Sequence, residues 1–223
     1  MASTGETLKA FYDALLERFG PQEWWPGETP FEVMVGAVLT QNTNWKNVEK
    51  AVANLKREGL LDPFRIHAAP PERLAEVIRP AGYYNIKARR LKNLVALLVD
   101  EFDGDIDALF SGPVDELRRR LVAVRGVGLE TADSIILYAA GRPTFVVDAY
   151  TFRVTARHGL VIPEASYDEL KSLFEDNLPA DVRLFNEYHA LIVRLGKKFC
   201  RKRPRCAGCP LEAFPHETEF ETF

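Results

Sequence analysis

A single aspartate in this chain stands at the junction between an apolar run and a helix. Asp148 directly follows Phe145, Val146 and Val147, and the residues after it have a helical pattern. An aspartate in this position ordinarily caps the helix, but its apolar neighbours also desolvate the carboxylate and strengthen its interaction with a nearby cation. A fixed carboxylate of this kind can stabilise an oxocarbenium-like sugar and orient a water molecule for attack. We therefore consider both capping and catalysis for Asp148.

A short turn rich in glycine could hold an anion. An amphipathic helix ends near Arg125, Gly126-Val127-Gly128 follows, and a new helix begins at Leu129. Glycine adopts positive φ without a steric penalty. We expect the amides of Val127 and Gly128 to point outward beside the positively polarised helix N-terminus, where phosphate is a natural ligand. Such contacts position a protein on DNA without reading its bases, whereas the alternative is a tight turn without a ligand.

All three cysteines of the chain lie in one C-terminal segment, at Cys200, Cys206 and Cys209. Their odd number, their clustering and a polar N-terminus without an export-signal pattern argue against a disulfide framework and favour a metal or cluster site. Thiolates at this spacing suit an iron–sulfur cluster or zinc.

Charge gives a weaker indication of the partner. The net charge is −3 at pH 7, which by itself does not indicate a nucleic-acid-binding protein. Lysines and arginines nevertheless cluster in three stretches, at residues 87–92, 118–125 and 197–205. Basic stripes on a mildly acidic protein fit one-sided contact with a polyanion, although each stretch alone is more typical of a solvated helix face.

The elements that must position these groups have helical signatures. Apolar residues recur at three- and four-residue spacing along residues 8–19 and 84–102, and Thr29 and Ser166 open capping boxes. Only residues 144–147 look strand-like, and that run is too short to build a sheet. We predict an all-α, two-lobed protein. Residues 30–141 form a central lobe that carries the glycine turn within about 113–140, and residues 1–29 and 142–223 form a second lobe with a cysteine loop at 200–216.

No apolar run in the sequence approaches the length of a membrane span. Together with the polar N-terminus, this predicts a soluble, cytoplasmic protein. We expect it to be a monomer without a membrane partner.

The glycine turn, the Thr131-Ala132-Asp133 segment after it and Asp148 together resemble the helix-hairpin-helix (HhH-GPD) DNA glycosylases of the endonuclease III branch. Three further blocks, at residues 24–26, 36–45 and 79–88, look like the 3-methyladenine DNA glycosylase III subgroup. The resemblance is good from about residue 24 to residue 153 and weaker in the tail. It implies double-stranded DNA with a damaged base as the partner, and base-excision repair that removes the base after its extrusion from the duplex.

The resemblance also assigns residues to roles. Asp148 falls at the position of the family's catalytic aspartate, and Gln41 at that of the residue that fills the gap left by the extruded nucleotide. The predicted DNA-contacting residues are Gln41, Gly126, Val127, Gly128, Thr131, Lys198 and Arg201.

One departure from the family pattern bears on the reaction. In bifunctional members a lysine two residues after the second glycine attacks the sugar to form a Schiff base, and here that position is Glu130. A carboxylate cannot form a Schiff base. The resemblance therefore implies a monofunctional enzyme that uses water and has no lyase step. Glu130 either tunes the pocket electrostatically or is an ordinary first-turn acid stabilised by the helix dipole.

The predicted base pocket consists of Trp24, Trp25, Trp45 and Glu130. An extruded base needs an aromatic platform. Alkylated purines such as 3-methyladenine carry positive charge, for which indole is the best cation–π partner. We expect Trp45 to stack on the base and one of the adjacent pair to pack internally, while plain core packing is the alternative for each tryptophan.

The cysteine segment resembles the [4Fe-4S] loop of the same family, which usually has four cysteines. The fourth would fall at Pro215, and the adjacent His216 could serve in its place. A three-cysteine cluster, a Cys3His site, zinc and no stable metal all remain open. Lys198 and Arg201 flank this segment, and we expect them to contact phosphates.

Other functions fit parts of the pattern. A glycosylase for mismatched bases or oxidised pyrimidines is one, although Glu130 and the tryptophans count against pyrimidines. A non-catalytic DNA-binding module would keep the hairpin without needing Asp148. If the protein were a plain helical scaffold, the basic stretch at 197–205 and the cysteine spacing would be coincidences.

Overall fold

The computed structural model describes residues 2–218, and every regular element in that range is helical. The α-helices are α1 (Thr4–Phe19), α2 (Pro30–Thr40), α3 (Trp45–Arg57), α4 (Pro63–Ala68), α5 (Pro71–Val77), α6 (Tyr84–Phe102), α7 (Ile106–Phe110), α8 (Val114–Ala123), α9 (Leu129–Ser134), α10 (Ala149–Arg157), α11 (Tyr167–Glu175) and α12 (Val182–Lys198). The all-α prediction is confirmed. Within residues 2–218, no helix is long and apolar enough to cross a membrane.

The chain divides into two compact units. The central unit, residues Trp25–Arg142, contains α2 to α9. The terminal unit, residues Met1–Trp24 and Pro143–Phe223, contains α1 and α10 to α12. The glycine turn therefore belongs to the central unit, and Asp148 and the cysteines belong to the terminal unit.

Helix α2 lies in the core of the central unit. Thr29 caps it through a bond from the Glu32 amide, and Pro30 occupies its first turn. All residues from Phe31 to Leu39 are buried, as an apolar surface on every side predicts. The helix packs against α3, α6 and α9. Its C-cap is Gln41, and burial of the helix in the core fixes the position of this residue.

A π-helical segment at Ile135–Ala139 continues α9. The sequence pattern predicts one uninterrupted α-helix here, but the Ala140 amide donates to the Ile135 carbonyl at 3.0 Å, five residues back. Such segments are rare and often occur at functional sites. This one places the ring of Tyr138 5.0 Å from that of Trp25.

The strand-like run at residues 144–147 is a buried extended segment without a strand partner among residues 2–218. Side chains satisfy its backbone, because the Phe145 amide donates to Oε1 of Glu175 at 2.7 Å and the Val147 amide faces the Tyr167 hydroxyl at 3.4 Å. Phe145 stacks on Phe174 with ring centroids 3.8 Å apart. The segment is therefore held on both sides as it leads into Asp148.

Helix α6 uses one face to hold loops of the central unit. Lys87 is 1% exposed, and its Nζ donates to the carbonyls of Leu39 at 2.9 Å and Ala81 at 2.7 Å. Three residues further on, Arg90 contacts Gln41, and Asn93 donates to the carbonyl of Arg125. The basic stretch at 87–92 thus serves the fold at Lys87 and Arg90 rather than forming a solvated surface.

Burial of Lys87 predicts a pH-dependent stability. Desolvation, followed by the nearby charge of Arg90, lowers the pKa of Lys87 to about 8 in the folded protein, whereas lysine in an unfolded chain titrates near ~10.4. Between these values the folded state is neutral at this position while the unfolded state keeps its proton. Stability rises with pH wherever the unfolded state binds more protons.

We therefore expect the unfolding free energy of the wild type, minus that of Lys87→Met, to rise with pH from about 8 to ~10.4 and to stay constant below about pH 8. Denaturant titrations across this range measure the difference. Lys50→Met, at an exposed position of α3, controls for the loss of one lysine. A difference that does not change with pH would contradict the charge state we assign to Lys87.

Candidate functional site

The glycine turn joins α8 to α9 and is built around Gly126. Its φ is +100°, and a Cβ there would lie 2.3 Å from Cγ of Arg90, so only glycine fits. Gly128, at φ −93°, is the N-cap of α9 and provides no side-chain cap. Amides in a first helical turn have no acceptor within their own helix. The amides at the start of α9 are therefore outside the hydrogen bonds of their own helix, and a ligand contact there stays a prediction.

The Val127 amide differs from expectation. It donates to the Val124 carbonyl at 3.0 Å, and the residue is only 5% exposed. The donor is engaged because the chain must close a tight turn after α8, and this internal bond closes it. The predicted outward-pointing amide of Val127 is therefore wrong, and Val127 serves the shape of the turn.

A bidentate ion pair fixes α8 against α9. Nε of Arg118 lies 2.9 Å from Oδ1 of Asp133, and Nη2 lies 3.3 Å from Oδ2. Asp133 has no exposed surface, and paired geometry of this type is the strongest form of a charge-assisted bond. The basic stretch at 118–125 thus also contributes a structural contact.

Gln41 is held against the hairpin. Its Nε2 donates to the carbonyl of Gly126 at 3.1 Å and to Oγ1 of Thr131 at 2.9 Å, and its Oε1 accepts from Arg90. The structure thus brings together three of the residues predicted to contact DNA: Gln41, Gly126 and Thr131. Sequence reasoning missed Arg90 in this set, because an arginine within a basic stretch gives no sign of its acceptor.

Tyr83 is a second exposed feature of the central unit that the sequence did not single out. Its side chain is 67% exposed, and its φ of 45° places it in the left-handed region. An exposed aromatic residue in a strained conformation, which costs about 1–3 kcal/mol, is a candidate for ligand contact. The preceding turn is held by Lys87 through the Ala81 carbonyl.

Trp25 and Trp45 line one cavity in the central unit. Their rings meet edge to face with centroids 5.0 Å apart. Gly36 lies between them, with the nearest indole atoms only 3.4 Å from where a Cβ would stand. The other lining residues are Pro26, Gly27, Glu32, Glu49, Val52, Ala53 and Lys56.

Two carboxylates contribute to this cavity. Glu32 is 9% exposed and lies 2.9 Å from Nζ of Lys56, whereas Glu49 is exposed. Aromatic faces together with carboxylates favour a flat, positively charged ligand. Glu130, which the sequence assigned to the base pocket, does not line this cavity.

Trp24 belongs to the terminal unit, unlike its neighbour Trp25. Nζ of Lys197 lies 5.8 Å from the centre of its ring. The structure therefore gives the adjacent tryptophans different surroundings. Of the three tryptophans predicted for the base pocket, Trp25 and Trp45 line the cavity of the central unit and Trp24 does not.

The two carboxylate oxygens of Asp148 have different partners. Oδ1 accepts from the amides of Tyr150 at 2.9 Å and Thr151 at 2.8 Å, and from the Thr151 hydroxyl at 3.0 Å. Oδ2 lies 3.6 Å from Nε2 of His189 on α12, and 12% of the Asp148 side chain is exposed. Capping therefore occupies one oxygen and leaves the other for a different role.

Electrostatics favour the ionised form of Asp148. Burial alone would raise the pKa of Asp148, but the polar contact with His189 and the bonds from Thr151 outweigh it, so the pKa lies below its usual value. The carboxylate is negatively charged at neutral pH as a result. Sequence reasoning missed His189, since a histidine within an amphipathic helix carries no local pattern.

The three cysteines and His216 line one small cavity in the terminal unit. Burial raises the pKa of Cys209, and the neighbouring Cys200 and Cys206 raise it further. Nδ1 of His216 lies 2.8 Å from the Phe214 carbonyl. Because a carbonyl only accepts, Nδ1 donates in this contact, which leaves Nε2 as the nitrogen of the neutral ring that can bind a metal.

These residues fit a metal group in their chemistry. Three thiols and an imidazole with its other nitrogen bound to a carbonyl are typical ligands. In residues 2–218, however, no three histidine, cysteine, aspartate or glutamate side chains converge closely enough to form a complete metal site.

Two buried arginines of α10 hold the basic loop that contains Cys200. Arg157 donates to Sγ of Cys200 at 3.2 Å and to the carbonyls of Arg201 at 2.7 Å and Lys202 at 2.9 Å. Arg153 donates to the Cys200 carbonyl at 3.0 Å. The side chains of Lys198 and Arg201 remain exposed, so the loop presents positive charge from an ordered backbone.

Two features together are typical of a helix-hairpin-helix DNA glycosylase. One unit contains a helical hairpin closed by a glycine turn, and the other contains an aspartate that follows a buried segment and caps a helix. The model of the HhH-GPD superfamily of base excision DNA repair proteins matches residues 35–180, and the chain belongs to that family as a DNA repair glycosylase. The predicted family is thereby confirmed.

Individual relatives agree with this assignment. A Methanocaldococcus jannaschii protein named as a DNA repair glycosylase is 50% identical over 211 residues, 94% of this chain and 96% of its own. The H. pylori 3-methyladenine DNA glycosylase, solved with 1,N6-ethenoadenine, is 30% identical with a TM-score of 0.74, covering 88% of this chain and 98% of its own. A non-covalent endonuclease III–DNA complex is 27% identical with a TM-score of 0.82, covering 98% of both chains.

The two turn glycines give a matched pair of substitutions. Gly126→Ala should lower the unfolding free energy by about 1–3 kcal/mol, because of its positive φ and the clash with Arg90. At Gly128 a Cβ would meet nothing within 4 Å, so Gly128→Ala should leave stability unchanged.

A loss of DNA affinity without a loss of stability should distinguish Gly128→Ala from a variant that only destabilises the turn. Gly128→Ala should weaken binding to a duplex that contains an abasic-site analogue, since its new methyl group obstructs the approach of a phosphate to α9. Thermal melts and fluorescence anisotropy measure the two effects. Wild-type affinity in Gly128→Ala would count against a phosphate contact at this position.

Proposed function

We propose that this DNA repair glycosylase is monofunctional and hydrolyses the N-glycosidic bond of an alkylated purine, such as 3-methyladenine, in double-stranded DNA. The observation that carries this proposal is the arrangement of Asp148: its carboxyl group is ionised, one oxygen caps α10, and the other oxygen is not used for capping. In this mechanism Oδ2 stabilises the positive charge that develops on the sugar as the base departs. The same oxygen orients the attacking water and accepts its proton.

The nucleophile in this proposal is water. Glu130 stands in the first turn of α9, where lysine-dependent relatives carry the amine. A carboxylate there provides no Schiff base, which supports hydrolysis without strand cleavage. Glu130 itself either tunes the base pocket electrostatically or is a first-turn acid stabilised by the helix dipole.

The cavity lined by Trp25 and Trp45 supports a cationic base as the substrate. Alkylation of a purine ring nitrogen gives it a positive charge, which the indole rings and the exposed Glu49 carboxylate favour, whereas Lys56 already pairs with Glu32. The relative solved with 1,N6-ethenoadenine binds an adenine-derived base, which supports a purine. Trp24 and Glu130 remain proposed pocket residues without support from this cavity.

DNA binding by the hairpin and the basic loop completes the proposal. The start of α9 with Gly128 and Thr131 holds a backbone phosphate, and Lys198 and Arg201 contact further phosphates. A relative solved in complex with DNA supports duplex DNA as the partner. Gln41 fills the gap left by the extruded nucleotide, as the family resemblance implies.

We further propose that Cys200, Cys206, Cys209 and His216 hold an iron–sulfur cluster or a zinc ion. The common cavity and the available Nε2 of His216 support this. When bound, such a group would crosslink the loop and fix its shape. The proposed base hydrolysis does not depend on it.

Asp148 variants separate capping from catalysis. Asparagine retains an oxygen for the amides of Tyr150 and Thr151, so Asp148→Asn should keep wild-type stability. It should nevertheless lose base release from 3-methyladenine DNA by about a hundredfold or more under single turnover, since the negative charge is gone. Asp148→Ala should lose base release and also about 1 kcal/mol of stability.

The readout is release of free base across a panel of lesions, with DNA affinity measured in parallel. Activity of Asp148→Asn equal to the wild type would refute the catalytic role. Borohydride trapping of a covalent wild-type–DNA complex would refute hydrolysis by water.

Metal analysis tests the cysteine site. Protein purified without oxygen should contain either iron with sulfide or zinc, and Cys206→Ser should lose it together with some thermal stability. Metal binding should weaken in His216→Ala if the site is Cys3His, and it should stay unchanged if the three cysteines alone hold the metal. A metal-free wild type with undiminished stability would refute the proposal.

A further inference from the structure

His189 lies in the middle of α12 and faces the N-terminus of α10. Its side chain is 7% exposed, and its Nε2 is 3.6 Å from Oδ2 of Asp148. Burying an imidazole costs free energy that an apolar side chain on the same face would not. The contact with a carboxylate is therefore a specific feature and not simple core packing.

The neighbouring residue shows what a structural side chain on this helix does. Tyr188 is 1% exposed, and its hydroxyl donates to the Leu8 carbonyl of α1 at 2.8 Å. It holds α12 to α1. His189 points instead toward the oxygen of Asp148 that the helix cap leaves unused, and α10 and α12 pack directly against each other.

The bonds around Asp148 make that oxygen the sensitive one. Three donors fix Oδ1 to the first turn of α10. The remaining motion of the carboxylate is a rotation about Oδ1, and this rotation moves Oδ2. Whatever contacts Oδ2 sets both its direction and the ease of keeping it charged in a mostly buried position. A displacement of about 1 Å at such an oxygen can cost on the order of a hundredfold in rate.

We propose that His189 is a positioning residue for base excision: it acts through Asp148 by holding Oδ2 in its reactive orientation. The inference rests on the proposed catalytic role of Asp148. His189 does not contact the substrate in this proposal, and its effect appears in the chemical step and not in DNA affinity.

The test compares two His189 variants under single turnover with lesion-containing DNA. His189→Leu removes the polar contact and should slow base release by about ten- to a hundredfold, while the Kd for abasic-analogue DNA stays within about twofold of the wild type. The amide of His189→Gln reaches a similar position and donates to Oδ2. This variant should recover most of the rate.

Tyr188→Phe is the matched control. It removes a buried hydrogen bond from the adjacent residue, so it should lower Tm while base release stays at the wild-type rate. A rate loss in Tyr188→Phe as large as in His189→Leu would reduce the effect to general destabilisation and overturn the proposal. Equal rates for His189→Leu and wild type, or no recovery in His189→Gln, would also overturn it.

A thermal cycle provides a measurement that does not need activity. The Tm changes of His189→Leu and Asp148→Ala, each of which removes the contact, should not add in the double variant, because the two side chains interact. Additive changes would overturn the contact. An active wild type with an unaffected His189→Leu refutes only this inference, whereas a wild type that releases no base from any lesion refutes the proposed function and this inference with it.

Discussion

A carboxylate that has lost most of its water stays ionised only where hydrogen bonds and charge replace the solvent. Asp148 meets this condition by dividing its oxygens between the amides of α10 and the imidazole of His189. The extended segment before it must in turn be held in place, and Glu175 does so through the Phe145 amide. These contacts therefore hold one negative charge in place at the start of α10, and the proposed chemistry depends on it.

The hairpin of the central unit has a comparable dependence on distant side chains. Gln41, at the end of the buried helix α2, makes three hydrogen bonds that involve Gly126, Thr131 and Arg90. Each such bond contributes roughly 0.5–1.5 kcal/mol. In its proposed role of filling a gap in DNA, Gln41 would have to exchange these bonds for others, so the same side-chain amide would affect both the shape of the hairpin and insertion into the duplex.

Features that follow from local pattern were predictable from the sequence. The glycine turn, the cap at Asp148 and the burial of α2 each depend on neighbouring residues, whose types fix the backbone. The direction of a charged side chain does not follow from local pattern. Lys87 and Arg90 point inward because backbone carbonyls and Gln41 accept hydrogen bonds from them, and residue spacing does not predict those acceptors. The same holds for His189, whose partner lies 41 positions away in the chain (189 minus 148).

The π-helical segment after α9 has a consequence for how the chain tolerates insertions and deletions. A π turn accommodates one residue more than an α turn, so removing a single residue from Ile135–Ala139 would restore regular α geometry. Because the wider turn absorbs the extra residue, the residues beyond the deletion would keep their register along the chain. The change would be local: Tyr138 would shift relative to the ring of Trp25, which it contacts. The extra residue of this segment is therefore tied to the aromatic contact of Trp25 and not to the course of the chain that follows.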